Sequence, residues 1–506
     1  MKGLDSLKKD FSAGFSVALV ALPLSIGIAL ASGAPASAGL ITAIIGGLIG
    51  SWLGGAALVI NGPAAGLIVI VLDAITSLGF QGMLGAAVVA ALLQITFGLL
   101  KLGRKGALFP VSVIHGMMAA IGIIIFAKQA HILLGHIPQA KNPILLLGEL
   151  PFAFSNFKPL VAIIGGFTLL LLIFWTKINQ PLLKKIPGPL LGVIFGGVLA
   201  KILNLDEASF LKVPAEISNW FFSPDFSVMT TATGWISAIT LALVGSLETV
   251  LSASAVDKLD PEKRKSNLDR DLTSKGVCNL FTALVGGLPM IAEIVRSSAN
   301  ISYGAKTWKS NFFHGLVILV AVLLIPNALN LIPLAALASI LVMIGWRLGN
   351  PKHMQHAIQV GKDNVVGFMV TLVLTLAVDL LVGIFCGVIA QFATELYLGL
   401  KLKNSFKTDY EKKTKGNSLE FKVKSSLVFC NFLTVREDIL SAIQAKNSLV
   451  IDLSDCDYID HSVMEQLQEL ESHALSKGLT FKKEISPLHR SLGTSSLSAK
   501  RKTAFV

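Results

Sequence analysis

Two short glycine-proline breaks, Asn61-Gly62-Pro63-Ala64-Ala65-Gly66 and Gly286-Gly287-Leu288-Pro289, interrupt long apolar stretches 226 residues apart, proline to proline. Inside a bilayer, backbone that leaves the helix has no water to bond with, so such breaks persist only where they line a cavity or are buried in protein. Corresponding breaks in two halves of a chain are the mark of carriers built from inverted repeats. A half-helix starting after Pro63 and another after Pro289 would aim two positive dipole ends at one central point. Such a point attracts an anion.

Composition excludes a soluble reading. The chain is 53% hydrophobic with a mean hydropathy of +0.70 and 15% charged residues. From Phe11 to Leu72 there is no ionisable side chain, enough for two spans of about 20 residues and a half-helix. Apolar runs and breakers divide the sequence into about fourteen helical elements, centred near residues 22, 45, 70, 92, 118, 167, 195, 243, 280, 297, 318, 339, 371 and 391. The third and tenth are the short ones. Assigned to alternate sides, the loops carry twenty Lys and Arg on one face, including Lys184 and Lys185, against five on the other, including Lys141. A bacterial inner membrane is the expected location, and that bias places both termini in the cytoplasm. It also accounts for the net charge of +12 without a nucleic-acid partner. Cys278, Cys386, Cys430 and Cys456 are scattered, with neither metal nor redox spacing.

Pro110, ahead of the fifth element, lies 223 residues before Pro333, ahead of the twelfth. Seven elements per half invert the second repeat relative to the first. The expected organisation is a transmembrane domain over 1–404, with repeats of about 1–205 and 230–404, followed by a linker at 405–416. Beyond it, alternating and buried-strand patterns around Leu419 to Val423 and Ser448 to Asp452 flank a helix from His461 to Ser476. They predict a small cytoplasmic α/β domain over 417–495. A loose polar tail at 496–506 completes the chain.

Leu22-Pro23-Leu24-Ser25 with Gly33-Ala34-Pro35 resembles the first two helices of the sulfate permease (SulP) family of anion transporters. Gly62-Pro63 resembles that family's third-helix break and Pro187-Gly188-Pro189-Leu190-Leu191-Gly192 its seventh-helix entry. Val450-Ile-Asp-Leu-Ser-Asp-Cys-Asp-Tyr-Ile-Asp460 is similar to the core of its STAS domain. The resemblance implies a helical membrane protein of fourteen segments in a 7+7 inverted repeat, with core and gate domains, elevator-like alternating access, a homodimer and a C-terminal STAS domain. By residue matching it also implies a substrate pocket lined by Leu24, Ile28, Ala64, Ala65, Glu293, Ile294, Val295 and Arg296.

Ionisable residues at bilayer depth are costly and point to function. Arg296 lies about two turns beyond Pro289, where a guanidinium adds to the dipole field. Glu293 precedes it by three and shares its helix face, so the two are also candidates for a structural ion pair. Glu248, with Ser252 one turn further, offers a carboxylate and a hydroxyl suited to sodium or to a titrating proton. Sodium-coupled bicarbonate members of the family carry an acidic and a hydroxyl residue at the matching positions. Glu248, Ser252 and Glu293 are therefore the expected coupling-ion residues. Asp73 is read as reaching an interface, Asp379 as a helix cap, and His115 as a packing residue without a partner.

In the tail domain, Ser462 matches a serine that is phosphorylated in related bacterial regulatory domains, whereas His461 and Val463 depart from that pattern. Packing, dimer contact or docking of a cytosolic partner is the competing role. Asp460 to Glu465 and Ile294 to Asn300 resemble the subgroup encoded beside carbonic anhydrases. Bicarbonate is thus the first expected substrate and carbonic anhydrase the partner by analogy, with membrane lipid as the other surrounding partner. Sulfate, another oxyanion or a dicarboxylate comes next. A nucleobase carrier of the same fold, using Glu248 and Glu293, and a non-transporting membrane sensor remain as alternatives. No arrangement of residues supports an enzyme, and no cofactor is expected beyond a coupling ion.

Overall fold

The computed structural model describes residues 2–106, 109–138, 140, 143–178, 180, 186–214, 216–415 and 418–502. Lys141, Lys184 and Lys185 from the charge assignment, the boundary residues Gly416 and Asn417, and tail residues 503–506 lie outside the described residues. The chain forms two compact units, one of residues 1–107 and 121–348, the other of 108–120 and 349–506.

In the first unit the apolar runs form α1 (Lys2–Ala31), α2 (Ala36–Leu48), α3 (Ile68–Leu99), α4 (Val111–Leu133, shared with the second unit), α5 (Pro143–Ser155), α6 (Pro159–Lys177), α7 (Gly188–Ile202), α8 (Ala232–Leu259), α9 (Leu268–Leu284), α10 (Ile294–Ser302), α11 (Lys309–Leu324) and α12 (Leu334–Leu348). The third and fourth expected elements are merged in α3, across a kink at Gly79 with φ 74° and ψ 168°. Nothing stands within 4 Å of where a Cβ would be, so glycine is required there by backbone conformation and not by crowding. Pro110 and Pro333 immediately precede α4 and α12, as the repeat reading expects. Helix α5 falls outside the fourteen expected elements. It is short, holds Pro151 internally, and exposes Ile144, Leu145, Phe152 and Phe154. Among the described residues, seven helices are long and apolar enough to cross a membrane on their own.

Between α2 and α3 the chain is extended as β1 (Asn61–Pro63), and between α9 and α10 as β2 (Met290–Ala292). The two pair antiparallel, with Asn61 opposite Ala292 and Pro63 opposite Met290. Side chains from neighbouring helices complete the bonding of this buried ribbon. The Asn279 amide donates to the Met290 carbonyl at 3.1 Å and its oxygen accepts from Met290 N at 2.7 Å. Thr42 Oγ1 accepts from Leu288 N at 2.7 Å, and Asn311 Oδ1 accepts from Asn61 N at 3.2 Å. In an apolar solvent each unpaired backbone group would cost several kcal/mol, which explains polar residues on otherwise apolar helices.

The second unit holds the start of α4, α13 (Lys352–Val360), α14 (Lys362–Ala377), α15 (Leu380–Tyr397) and the tail domain. Asp379 caps α15, accepting from Val382 N at 2.8 Å, as expected. The tail domain has a four-stranded sheet in the order β3 (Tyr410–Lys415), β4 (Ser418–Val423), β5 (Ser448–Asp452), β7 (Phe481–Glu484). Its strands β4, β5 and β7 are parallel. Helices α16 (Leu433–Gln444) and α17 (His461–Ser476) pack on it around Phe421, Phe432, Ile439, Ile451 and Leu467. The linker expected at 405–416 is corrected here, because Tyr410–Lys415 pairs with β4 over its whole length. The loose tail at 496–506 is corrected too. Its β9 (Lys500–Lys502) pairs with β6 (Tyr458–Ile459) and β8 (His489–Ser491).

Candidate functional site

An antiparallel ribbon sends its two strands out at opposite ends. After Pro63 the chain turns through Ala64 to Leu67, where Leu67 N donates to Ala64 O at 3.3 Å, and enters α3. After Ala292 the chain enters α10 directly, with Glu293 at the N-cap. Two helix beginnings therefore flank one short ribbon buried in the first unit, the arrangement expected from the paired breaks.

Arg296, one turn into α10, is fully buried, and none of its three guanidinium nitrogens has a hydrogen-bond partner among the described residues. A Cβ at Gly62 would collide with this guanidinium, so the ribbon and the cation are in close contact. The ion pair between Glu293 and Arg296 considered from their spacing is not hydrogen-bonded. Instead Glu293 Oε1 accepts from the main-chain N–H of Ala65 at 3.1 Å. The Glu293 backbone donates to Ile60 O, next to β1, at 2.9 Å and accepts from Ser297 Oγ on α10 at 2.6 Å.

Glu248, on α8, is 9% exposed, and its carboxylate lies against Gly66 so closely that a Cβ there would overlap it. Ala65 and Gly66, consecutive residues in the turn just ahead of α3, thus meet two different carboxylates. Ser252 stands half-buried one turn beyond Glu248. Sequence reasoning missed Ser246 and Thr249 on the same helix, which are buried with hydroxyls lacking a partner among the described residues. It also missed His314, fully buried within electrostatic reach of Arg296. A hydroxyl or imidazole in an apolar helix is a weak signal, because serine and histidine in such helices more often bond the preceding turn.

Ala64, Ala65, Glu248, Glu293 and Arg296 are brought together. Leu24 is buried with Val20, Leu172 and Ile340 in a cluster shared with α6 and α12, and Ile28 is buried one turn further along α1. Ile294 and Val295 are 36% and 38% exposed, so they border open space instead of closing the site. Asp73 is exposed, as an interfacial position requires.

In the second unit, His115 is not partnerless as expected. Its ring lies 5.1 Å from that of His353 and 6.0 Å from that of His356, centroid to centroid, and His356 lies 5.9 Å from His461. Ser462 is 5% exposed with its hydroxyl accepting from Val111 N at 3.4 Å. A kinase reaches that hydroxyl only after the contact with α4 opens.

The Sulfate permease family model matches residues 7–371 and the STAS domain model residues 409–482. The chain belongs to the sulfate permease family. It is 27% identical to the putative sulfate transporter YvdB of Bacillus subtilis (strain 168), over 91% of this chain and 88% of that protein. It is also 27% identical to the bicarbonate transporter BicA of Synechocystis sp. (strain ATCC 27184 / PCC 6803 / Kazusa), over 94% of this chain and 87% of that one. The solved transmembrane domain of a cyanobacterial BicA superposes with a TM-score of 0.65 at 27% identity, covering 76% of this chain and 97% of that domain. The overall structure of SLC26A9 matches with a TM-score of 0.70 at 15% identity, over 95% of this chain and 84% of that one, a likeness of fold. The molecule is accordingly an integral membrane anion transporter of this family with a C-terminal STAS domain, and not an enzyme.

Proposed function

We propose that the chain is a secondary active transporter of a small inorganic anion, bicarbonate first, moved together with a cation by elevator-like alternating access. The observation that carries this reading is Arg296, buried beside two helix beginnings without a hydrogen-bond partner among the described residues. A guanidinium stays charged in any surrounding. Removed from water without a partner it costs several kcal/mol, a cost that an anion seated at the helix ends offsets. Glu248 at Gly66 sets a carboxylate beside the same helix start, where sodium or a proton compensates its charge, and Ser252 is the nearby hydroxyl for sodium. Anion and cation then share one element, which is what coupling requires. Sulfate, another oxyanion or a dicarboxylate is the second reading, supported by the relative named as a putative sulfate transporter. The family resemblance supports a homodimer in a bacterial inner membrane with both termini cytoplasmic, and a cytosolic partner such as carbonic anhydrase on the STAS domain.

Radiolabelled bicarbonate, sulfate and uracil offered to proteoliposomes, with and without a sodium gradient and at two pH values, test this reading. Saturable bicarbonate uptake that depends on one of the two gradients is the expected outcome. Uracil uptake would transfer the assignment to a nucleobase carrier, and no flux of any of the three would leave a sensor.

A further inference from the structure

The N–H of Ala65 lies in the turn that leads into α3, two residues before its N-cap Leu67, close to where the dipole of that helix favours negative charge. That donor is already taken. It bonds at 3.1 Å to a carboxylate of the chain itself, Glu293, whose backbone is held by Ile60, next to β1, and by Ser297 on α10. Arg296, the cation on the same helix face, is fully buried with all three nitrogens free of hydrogen bonds among the described residues. The side chain one turn before it therefore gives its hydrogen bond to the turn ahead of α3, while its charge acts on the guanidinium without a hydrogen bond.

We propose that Glu293 is a tethered competitor of the transported anion: its carboxylate occupies the substrate's place on the N-terminus of α3, and a substrate enters by displacing it. The proposal rests on the anion-carrier reading above and deepens it by naming the substrate class. The group that occupies this place is trigonal and planar, with two oxygens on one carbon. The site is accordingly matched to carboxylate-shaped anions, bicarbonate and small monocarboxylates, ahead of tetrahedral sulfate. A tethered competitor also sets a threshold. It needs no diffusion to rebind, so only an anion at a concentration exceeding that internal competition holds the site.

Displacement has a measurable cost. A charge-assisted hydrogen bond to a backbone donor is among the stronger single contacts, and substrate affinity is lowered by what it takes to break it. Glu293→Gln keeps shape and weakens the competitor, whereas Glu293→Ala removes it and leaves space of carboxylate size. Titration calorimetry of purified full-length protein with bicarbonate, formate and sulfate reads this directly. Bicarbonate and formate are expected to bind about tenfold or more tightly to Glu293→Ala than to the wild type, with Glu293→Gln intermediate and sulfate gaining less. Equal or weaker formate and bicarbonate binding in both variants, with monodisperse protein, overturns the proposal. So does a larger gain for sulfate. Because binding is read and not flux, tighter binding by the variants together with no transport by the wild type would sink the carrier reading while leaving the competitor in place.

Discussion

Two glycines show how closely the site is built. Gly62 carries the Arg296 guanidinium against its α-carbon, and Gly66 carries the Glu248 carboxylate. Each is a place where function requires the absence of a methyl group. Gly62→Ala is expected to cost about 1–3 kcal/mol through overpacking, seen as a lowered thermal unfolding midpoint, and to weaken anion binding by shifting the guanidinium. An unchanged midpoint and unchanged binding would show that the contact is slack. Residues of this kind were half legible. Gly62 was singled out because glycine beside proline in an apolar run signals a break. Gly66 belonged to the same run, but its encounter with Glu248 joins residues 182 positions apart and leaves no local trace. Glu293 was marked as a site residue for its charge at bilayer depth. Its bond to Ala65, and not to Arg296, follows from the ribbon and could not be read from helical spacing, which favoured an ion pair with Arg296.

At the scale of elements, the ribbon depends on helices that only support it. Asn279 satisfies both the N–H and the carbonyl of Met290 and in turn donates to Gln94 at 2.7 Å. Asn279→Ala strands two buried backbone groups, so a loss of about 2–4 kcal/mol is expected from about 1–3 kcal/mol per group with partial relaxation. Thermal unfolding in detergent checks it, and a change below about 0.5 kcal/mol would mean another group takes over. In the tail domain Asp460 caps α17, accepting from Val463 N and Phe429 N at 2.6 Å each. Burial nevertheless pushes its carboxyl up to about 7. The unfolded chain releases that proton near ~4. The folded state is therefore favoured by this group below about 4 and loses that contribution as pH rises through about 7. Hydrogen exchange of the α17 amides, corrected for intrinsic rates, should show protection falling between pH 5 and 7 in the wild type and flat in Asp460→Asn. Protection independent of pH in the wild type would contradict it. The fourteen helical elements were legible from apolar runs and breakers, although among the described residues only seven helices are long and apolar enough to span on their own. Three-residue strands carry no periodicity, and β3 escaped because Tyr-Glu-Lys-Lys-Thr-Lys is the charged composition that protects an exposed sheet edge.

Across the whole molecule, the repeat reading gathers these parts into one device. Pro110 and Pro333 precede equivalent helices, and the two breaks meet as partners in one ribbon, so each half contributes one helix beginning to the site. On the proposed function, anion specificity is assigned to backbone N–H groups, Arg296 and the competing Glu293, and cation coupling to Glu248 beside the same helix start. The most direct test is bicarbonate uptake into proteoliposomes by the wild type and by Arg296→Gln, with Arg296→Lys as a control that keeps charge but not the guanidinium fork. Uptake by the wild type, reduced at least about a hundredfold in Arg296→Gln and partly retained in Arg296→Lys, with all three proteins monodisperse, is the expected result. Undiminished uptake in folded Arg296→Gln would contradict an anion site built on that buried guanidinium and the two helix beginnings beside it.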